Sequence, residues 1–292
     1  MGHRESIAAV LKFMASENER KPILLTEGVP QLFRDLIHER TGVFFDVDRL
    51  DMLLDRLSPL AQKQNVHSYL DYYYLLKYEE NNQKHWAEVM DAISVPETYF
   101  WREFSQIEYF VNDFVPKWFG KGKGPLRVWS AACASGEEVY SIIMALMEAG
   151  LGEHPIEVMG SDSSISAINK AKRPVFREKA FRILPLHLKE KYFTRVENQW
   201  ELSPEVAKRA TFSRVNLLAP EEAGLLARAP VIFCRNVFIY FSPHAIRQTV
   251  ALFASRMPRT GHLFVGSAES LLRLTSDFEL RQIGDVFVYI RI

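Results

Sequence analysis

Apolar positions recur in two different rhythms along this chain. From residue 28 to residue 92 they fall at intervals of three and four: Leu32, Phe33, Leu36 and Ile37, then Leu50, Met52, Leu53, Leu57 and Leu60, then Tyr69, Leu70, Tyr73 and Leu76. Such intervals collect apolar side chains on one face of a helix. Helices this short are marginal alone, so the three stripes predict a small helical bundle. Pro96 stops any helix running on from Trp86, because its ring restricts the residue before it. At Leu126 the rhythm changes, and short apolar runs begin to alternate with helix-period segments. A strand at Leu126–Ser130 leads into the stripe Val139, Ile142, Ile143, Leu146 and Met147. A second strand at Ile156–Met159 ends at Gly160-Ser161-Asp162 and leads into a helix over 164–172, stopped by Pro174. Pro230–Phe241 is a buried strand with its exit. Ser242-Pro243 then caps a helix running through Met257, and strands follow at His262–Gly266 and Val286–Ile292. This alternation predicts a parallel, doubly wound α/β sheet. Tyr192–Arg195, Trp200–Leu202 and Thr211–Arg214 predict short strands of an inserted antiparallel subdomain, at about residues 190–215.

The expected organisation is therefore an N-terminal extension over 1–27, a small all-α domain over 28–92, and an α/β domain over 93–292. Composition fits this picture: 292 residues, 48% hydrophobic and 25% charged, are enough for two globular domains. A formal net charge of zero gives no global reason to expect nucleic acid or an anionic membrane as partner. The two cysteines, Cys133 and Cys234, lie far apart without metal-ligand spacing, so reduced thiols, no metal and a cytoplasmic location are expected. No run of about 18 apolar residues appears, so no membrane insertion is expected. Arg49, Arg56 and Lys63 recur every seven residues and line up along one helix. A solvated face beside Asp51 and Asp55 explains that spacing; a docking stripe for an acidic helical partner is the functional alternative.

The candidate chemistry gathers at strand ends. Small residues at Ala131-Ala132-Cys133-Ala134-Ser135-Gly136 form a strand-to-helix turn that lets a ligand approach the backbone, opposite the free N–H groups of a helix start. The turn lacks G-x-G-x-x-G, which disfavours a dinucleotide pyrophosphate and favours a phosphate-free cofactor such as S-adenosylmethionine. Ser135 and Glu138 have capping-box spacing; the alternative has Glu138 facing a cationic ligand group. Asp162 ends the second strand where an acid accepts hydrogen bonds from ribose hydroxyls, or else caps the next helix. Asn216 and Asn236 follow apolar stretches and converge with Asp162 on the same expected rim. Thr98 and Arg102, four apart around Tyr99, Phe100 and Trp101, would share a helix face, or else the aromatics plug a domain junction.

Taken together, E-T-Y-F-W-R-E, S-A-A-C-A-S-G-E-E-V-Y-S, S-D-S-S, N-L-L, F-C-R-N-V-F-I-Y-F and L-F-V-G-S-A-E-S-L resemble CheR-type chemoreceptor glutamate methyltransferases over about residues 28–292. The resemblance implies a Rossmann-like S-adenosylmethionine-dependent domain with an inserted antiparallel subdomain, preceded by a small all-α domain. It also implies glutamates of the cytoplasmic helical domain of methyl-accepting receptors as acceptors and S-adenosylhomocysteine as product. Cofactor contacts would fall on Thr98, Arg102, Ala132, Glu138, Asp162, Ser163, Asn216, Leu217, Asn236 and Val237. Pro96 stands where the family usually has asparagine, and Ala134 and Val139 where it has serine and proline.

Burying an acceptor carboxylate requires a positive partner. Arg102 is the candidate, with the Tyr240 hydroxyl as a second donor; the stripe Arg49, Arg56 and Lys63 is the candidate receptor contact. The short, glycine-free connection Val196-Glu197-Asn198-Gln199 implies an enzyme that does not need a receptor C-terminal peptide tether, and a monomer is expected. A non-catalytic S-adenosylmethionine-binding regulator, or a methyltransferase for another protein or a small molecule, is the alternative.

Overall fold

The computed structural model describes residues 23–80 and 82–292; the expected N-terminal extension lies outside the described residues up to residue 22. The chain divides into two compact units. One takes the chain to Leu36 together with Phe45–Ile93, and the other takes Ile37–Phe44 together with Ser94–Ile292.

The first unit is helical, as its periodicity requires. It contains most of the helix Val29–Thr41 and the helices Leu50–Lys63, Tyr69–Tyr78 and Gln83–Ile93. A capping box starts the third: Ser68 Oγ accepts from Asp71 N at 3.1 Å, and Ser68 N donates to Asp71 Oδ2 at 3.0 Å. Phe33 packs among Tyr69, Tyr72 and Tyr73 with ring centroids 5.9–6.4 Å apart. The buried faces run slightly off the expected stripes. Leu32 and Met52 are exposed, while Leu54 and Tyr72 are buried. The basic heptad positions are engaged within the unit: Arg56 donates to the Ile93 carbonyl at 2.8 Å and Lys63 pairs with Glu88 at 2.6 Å. Arg49 is exposed just before the helix begins.

The second unit is built on a seven-stranded sheet. Its strands are β1 (Leu126–Ala131), β2 (Ile156–Asp162), β6 (Ala210–Arg214), β7 (Val231–Phe233), β8 (His262–Phe264), β9 (Phe278–Ile283) and β10 (Val286–Arg291), in the order β6-β2-β1-β7-β8-β10-β9. The first five run parallel, and β10 runs antiparallel to both of its neighbours, β8 and β9. The order reverses direction between β1 and β7, which places a crevice at their carboxyl ends. Both faces of the sheet are covered: Trp129 and Phe253 are among the fully buried groups on one side, Val128, Phe233 and Ile142 on the other.

Two elements differ from expectation. Thr211–Arg214 does not join the inserted antiparallel patch but forms part of the parallel edge strand β6. An edge strand with one covered face alternates just as a hairpin strand does, so the pattern did not separate them. The small sheet instead pairs β4 (Phe193–Val196) and β5 (Gln199–Leu202) with β3 (Val175–Phe176). Strand β9 was not expected; it enters β10 through the two-residue turn Gly284-Asp285, with Gly284 at φ +59°. No described helix is long and apolar enough to cross a membrane, and no cluster that would hold a metal occurs among the described residues.

Candidate active site

The turn after β1 is wound tightly: Ala132, Ala134 and Gly136 have φ of +62°, +47° and +92°. A left-handed alanine costs about 1–2 kcal/mol. The gain is that successive N–H groups turn toward the end of β2. Cys133 N donates to Ser161 O at 2.8 Å and Ala134 N to Asp162 Oδ2 at 2.9 Å. Glycine at position 136 is favoured by its φ, and a Cβ there would also be tight, 3.1 Å from Ala171 and Phe212. The expected capping box does not form. The helix Glu137–Glu148 begins behind Gly136, Ser135 Oγ donates to Glu137 Oε2 at 2.8 Å, and Glu138 turns toward the sheet. A charge-assisted partner explains the choice: Glu138 Oε2 accepts from Arg235 Nε at 2.6 Å, and its Oε1 accepts from Ser130 Oγ at 2.6 Å.

Ser164, rather than Asp162, is the N-cap of the helix Ile165–Ala171 and accepts from Ala167 N at 3.0 Å. Asp162 instead joins the two strand ends, taking Ala134 N on one oxygen and Ser164 N on the other at 2.9 Å each. Ser163 lies half-buried beside it.

Arg235, inside the C-R-N-V segment, was not singled out from sequence. Its side chain is 1% exposed. Besides Glu138 it donates to the Arg102 carbonyl at 2.9 Å, the Glu103 carbonyl at 3.1 Å and Gln106 Oε1 at 3.2 Å. It therefore pins the backbone turn that carries Arg102. That turn is not helical, so Thr98 and Arg102 do not share a helix face. Trp101 and Glu103 take φ of +68° and +48°, and helix begins only at Phe104. Phe100 is buried against Phe176, Phe181 and Phe193, and Trp101 stacks on Phe104; all of these contacts lie within the second unit rather than at the expected domain junction. Arg102 itself is half-buried, donates to the Glu97 carbonyl at 3.0 Å and lies 5.5 Å from the Tyr99 ring centroid.

A second network holds the exit from β7. Asn236 is left-handed at φ +58°. Its N–H donates to Glu269 Oε2 at 2.8 Å, and its side-chain amide donates to Glu103 Oε1 at 3.2 Å. Val237 packs on the apolar cluster that contains buried Leu217 and Phe238. Tyr240, half-buried, accepts from Phe44 N through its carbonyl at 2.9 Å. Asn216 is bonded to other partners: its amide donates to the Arg40 carbonyl at 2.8 Å and its Oδ1 accepts from Leu218 N at 3.1 Å. The structure thus joins Ala134 to Asp162, and joins Glu138, Arg102 and Glu103 through Arg235, with Asn236 bonded in turn to the Glu103 carboxylate. Glu103 and Glu269 were missed; the one available signal for Glu269 was the acidic residue in G-S-A-E-S.

The sequence profile described as the CheR methyltransferase SAM-binding domain matches residues 96–287, and the profile of the CheR all-alpha domain matches residues 31–94. The chain belongs to the CheR methyltransferase family. It is 32% identical over 264 residues to chemotaxis protein methyltransferase 2 of Vibrio cholerae, covering 89% of this chain and 91% of that protein. It is 30% identical to a chemotaxis protein methyltransferase of Klebsiella aerogenes, with 84% of each chain covered. A probable biofilm formation methyltransferase of Pseudomonas aeruginosa is 35% identical over 190 residues, covering 63% of this chain and 44% of that protein.

This CheR chain is an S-adenosylmethionine-dependent methyltransferase, and its donor set fits that cofactor. The crevice combines a carboxylate at the end of β2 with a turn of small residues that carries no lysine or arginine for a phosphate. Each oxygen of Glu138 is engaged once and keeps a lone pair for a cationic group.

Beside Glu138, Glu137 is buried at 5% exposure, and desolvation raises its carboxyl pKa above the ordinary range. Between its ordinary value and the raised one the folded state binds more protons than the unfolded state, so this group's contribution to stability is present below the ordinary value and is lost as pH rises through the raised one. Glu137→Gln, which keeps an acceptor for Ser135, is expected to raise Tm at pH 7 relative to the parent. By pH 4 the difference should vanish in calorimetric scans; an equal gain at both pH values would remove the electrostatic explanation.

Proposed function

We propose that this methyltransferase esterifies glutamate side chains on the cytoplasmic helices of chemoreceptors, without dependence on a C-terminal peptide tether. The observation that carries this reading is Arg102, a half-buried guanidinium on a turn whose carbonyls are gripped by Arg235. A glutamate has a reference pKa of about 4.3 and is ionised near neutral pH, so no general base is needed. What an acceptor carboxylate needs is compensation for leaving water, and alignment. Arg102 supplies the first through charge-assisted hydrogen bonds, with the Tyr240 hydroxyl as a second donor.

When bound, S-adenosylmethionine supplies a methyl group on a positive sulfur; the carboxylate oxygen gains the C–O bond as the C–S electron pair returns to sulfur. In this reading Asp162 takes the ribose hydroxyls, Glu138 a cationic group, and Ala132, Ser163, Leu217 and Val237 line the crevice, with Thr98, Asn216 and Asn236 at its edge. Tether independence is supported by the connection between β4 and β5, which is only the turn Glu197-Asn198.

The test is one reaction series with methyl-labelled S-adenosylmethionine and receptor cytoplasmic fragments, with and without the C-terminal peptide. Label that mild base releases as methanol, in equal amount from both fragments, is expected. Base-stable label overturns the glutamate acceptor, and label on the tethered fragment alone overturns tether independence.

A further inference from the structure

Glu269 sits in the loop after β8, next to the exit from β7, and its carboxylate gathers three backbone N–H groups. Oε2 accepts from Gly266 at 2.6 Å and from Asn236 at 2.8 Å; Oε1 accepts from Ile239 at 3.2 Å. These donors come from two loops that no main-chain ladder joins at this level: the paired residues of β7 and β8 end at Phe233 and Phe264. The carboxylate therefore takes over where the sheet stops. Of the three donors, Asn236 is the strained one, at φ +58°, a conformation asparagine tolerates but that needs to be held.

Gly266 leaves the space for this arrangement. A Cβ there would lie 2.8 Å from Glu269 Oε2 and 2.6 Å from Asn236 Nδ2.

We propose that Glu269 is a positioning residue for the methyl donor: it fixes the left-handed Asn236 and thereby the way Asn236 and Val237 are presented to S-adenosylmethionine. The inference rests on the reading of Asn236 and Val237 as cofactor contacts, but not on the identity of the acceptor. Glu269 touches neither donor nor acceptor; it acts through the loop. Aspartate does not substitute in this scheme, because a carboxylate one methylene shorter has to reach the same three donors.

Glu269→Gln keeps the shape but replaces one accepting oxygen with an NH2 group, which faces a backbone donor it has no way to accept from. S-Adenosylhomocysteine binding, measured by calorimetry on the full chain, is expected to weaken by about tenfold, equivalent to about 1.4 kcal/mol. Gly266→Ala, which displaces the same carboxylate from the other side, should weaken it similarly. With receptor fragments as acceptor, KM for S-adenosylmethionine should rise while KM for the acceptor stays within about twofold. A general structural defect gives a different pattern. If Tm falls but both variants bind S-adenosylhomocysteine within about twofold of the parent, the proposal is overturned; equal rises in both KM values overturn it too.

Hydrogen exchange on the unmodified protein covers the case in which neither variant folds. The Asn236, Ile239 and Gly266 amides should exchange at least about tenfold more slowly when S-adenosylhomocysteine saturates the site, because the ligand binds only the held loop. Unchanged exchange at these amides overturns the assignment. Because the binding and exchange readouts need no acceptor, their failure is distinct from failure of the receptor-glutamate reading.

Discussion

Arg235→Met is expected to destabilise the protein by about 3–5 kcal/mol, read as a lower urea midpoint, and to abolish methyl transfer in whatever fraction remains folded. The guanidinium is almost wholly buried, and four acceptors depend on it: Glu138 Oε2, two carbonyls and Gln106 Oε1. Methionine fills similar volume but donates nothing, which leaves the Glu138 carboxylate, 13% exposed, with Ser130 as its remaining partner. The carbonyls of Arg102 and Glu103 lose their donor in the same step, and the left-handed Glu103 loses a hold on its conformation. Arg235→Lys should recover only part of the loss, since a single ammonium does not reproduce a planar fork that reaches in several directions. Full stability with lysine would show that charge alone matters and that the forked geometry does not.

Arg102→Ala is the complementary case, with a large kinetic effect and a small thermodynamic one. Its side chain makes one hydrogen bond, to the Glu97 carbonyl, and a contact with the Tyr99 ring. Removing it should leave Tm within a few degrees of the parent. S-Adenosylhomocysteine should still bind, because Asp162 and Glu138 are untouched. Turnover with receptor fragments should fall by about 10²–10³-fold, the usual effect of removing a preorganised electrostatic donor. Near-normal turnover would remove Arg102 from the acceptor site and leave Tyr240 to be tested in its place.

The meeting of the turn after β1 with the end of β2 was readable in the sequence because its chemistry is local. A strand of apolar residues, a turn of small ones and an acid at the next strand end each declare themselves within a few positions, and Ala134 and Asp162 do meet. The residues that hold those groups in place were not readable. Arg235 meets Glu138 across 97 positions, and Glu103 meets Asn236 across 133. No periodicity encodes such pairs. Glu138 shows how a local rule loses to a distant partner: its spacing from Ser135 fits a capping box, yet a buried arginine claims the carboxylate. The same limit explains the strands. Thr211–Arg214 alternates as a hairpin strand does, and only its pairing with β2 reveals a parallel edge.

The eight residues Ile37–Phe44 are counted with the second unit although they sit between two stretches of the first. Within the second unit they are bound in several places: Asn216 to the Arg40 carbonyl, His38 to Ser242 at 2.6 Å, and Val43 to Phe241 through a bridge. The two units are thus interleaved along the polypeptide rather than strung end to end. Neither can be cut out as one continuous stretch, so exchange of modules between relatives at residue 94 would leave the recipient with a foreign patch against its Asn216 and Phe241. During synthesis, the strip that the later unit needs emerges first and has to wait for about 170 residues before Asn216 arrives to receive it.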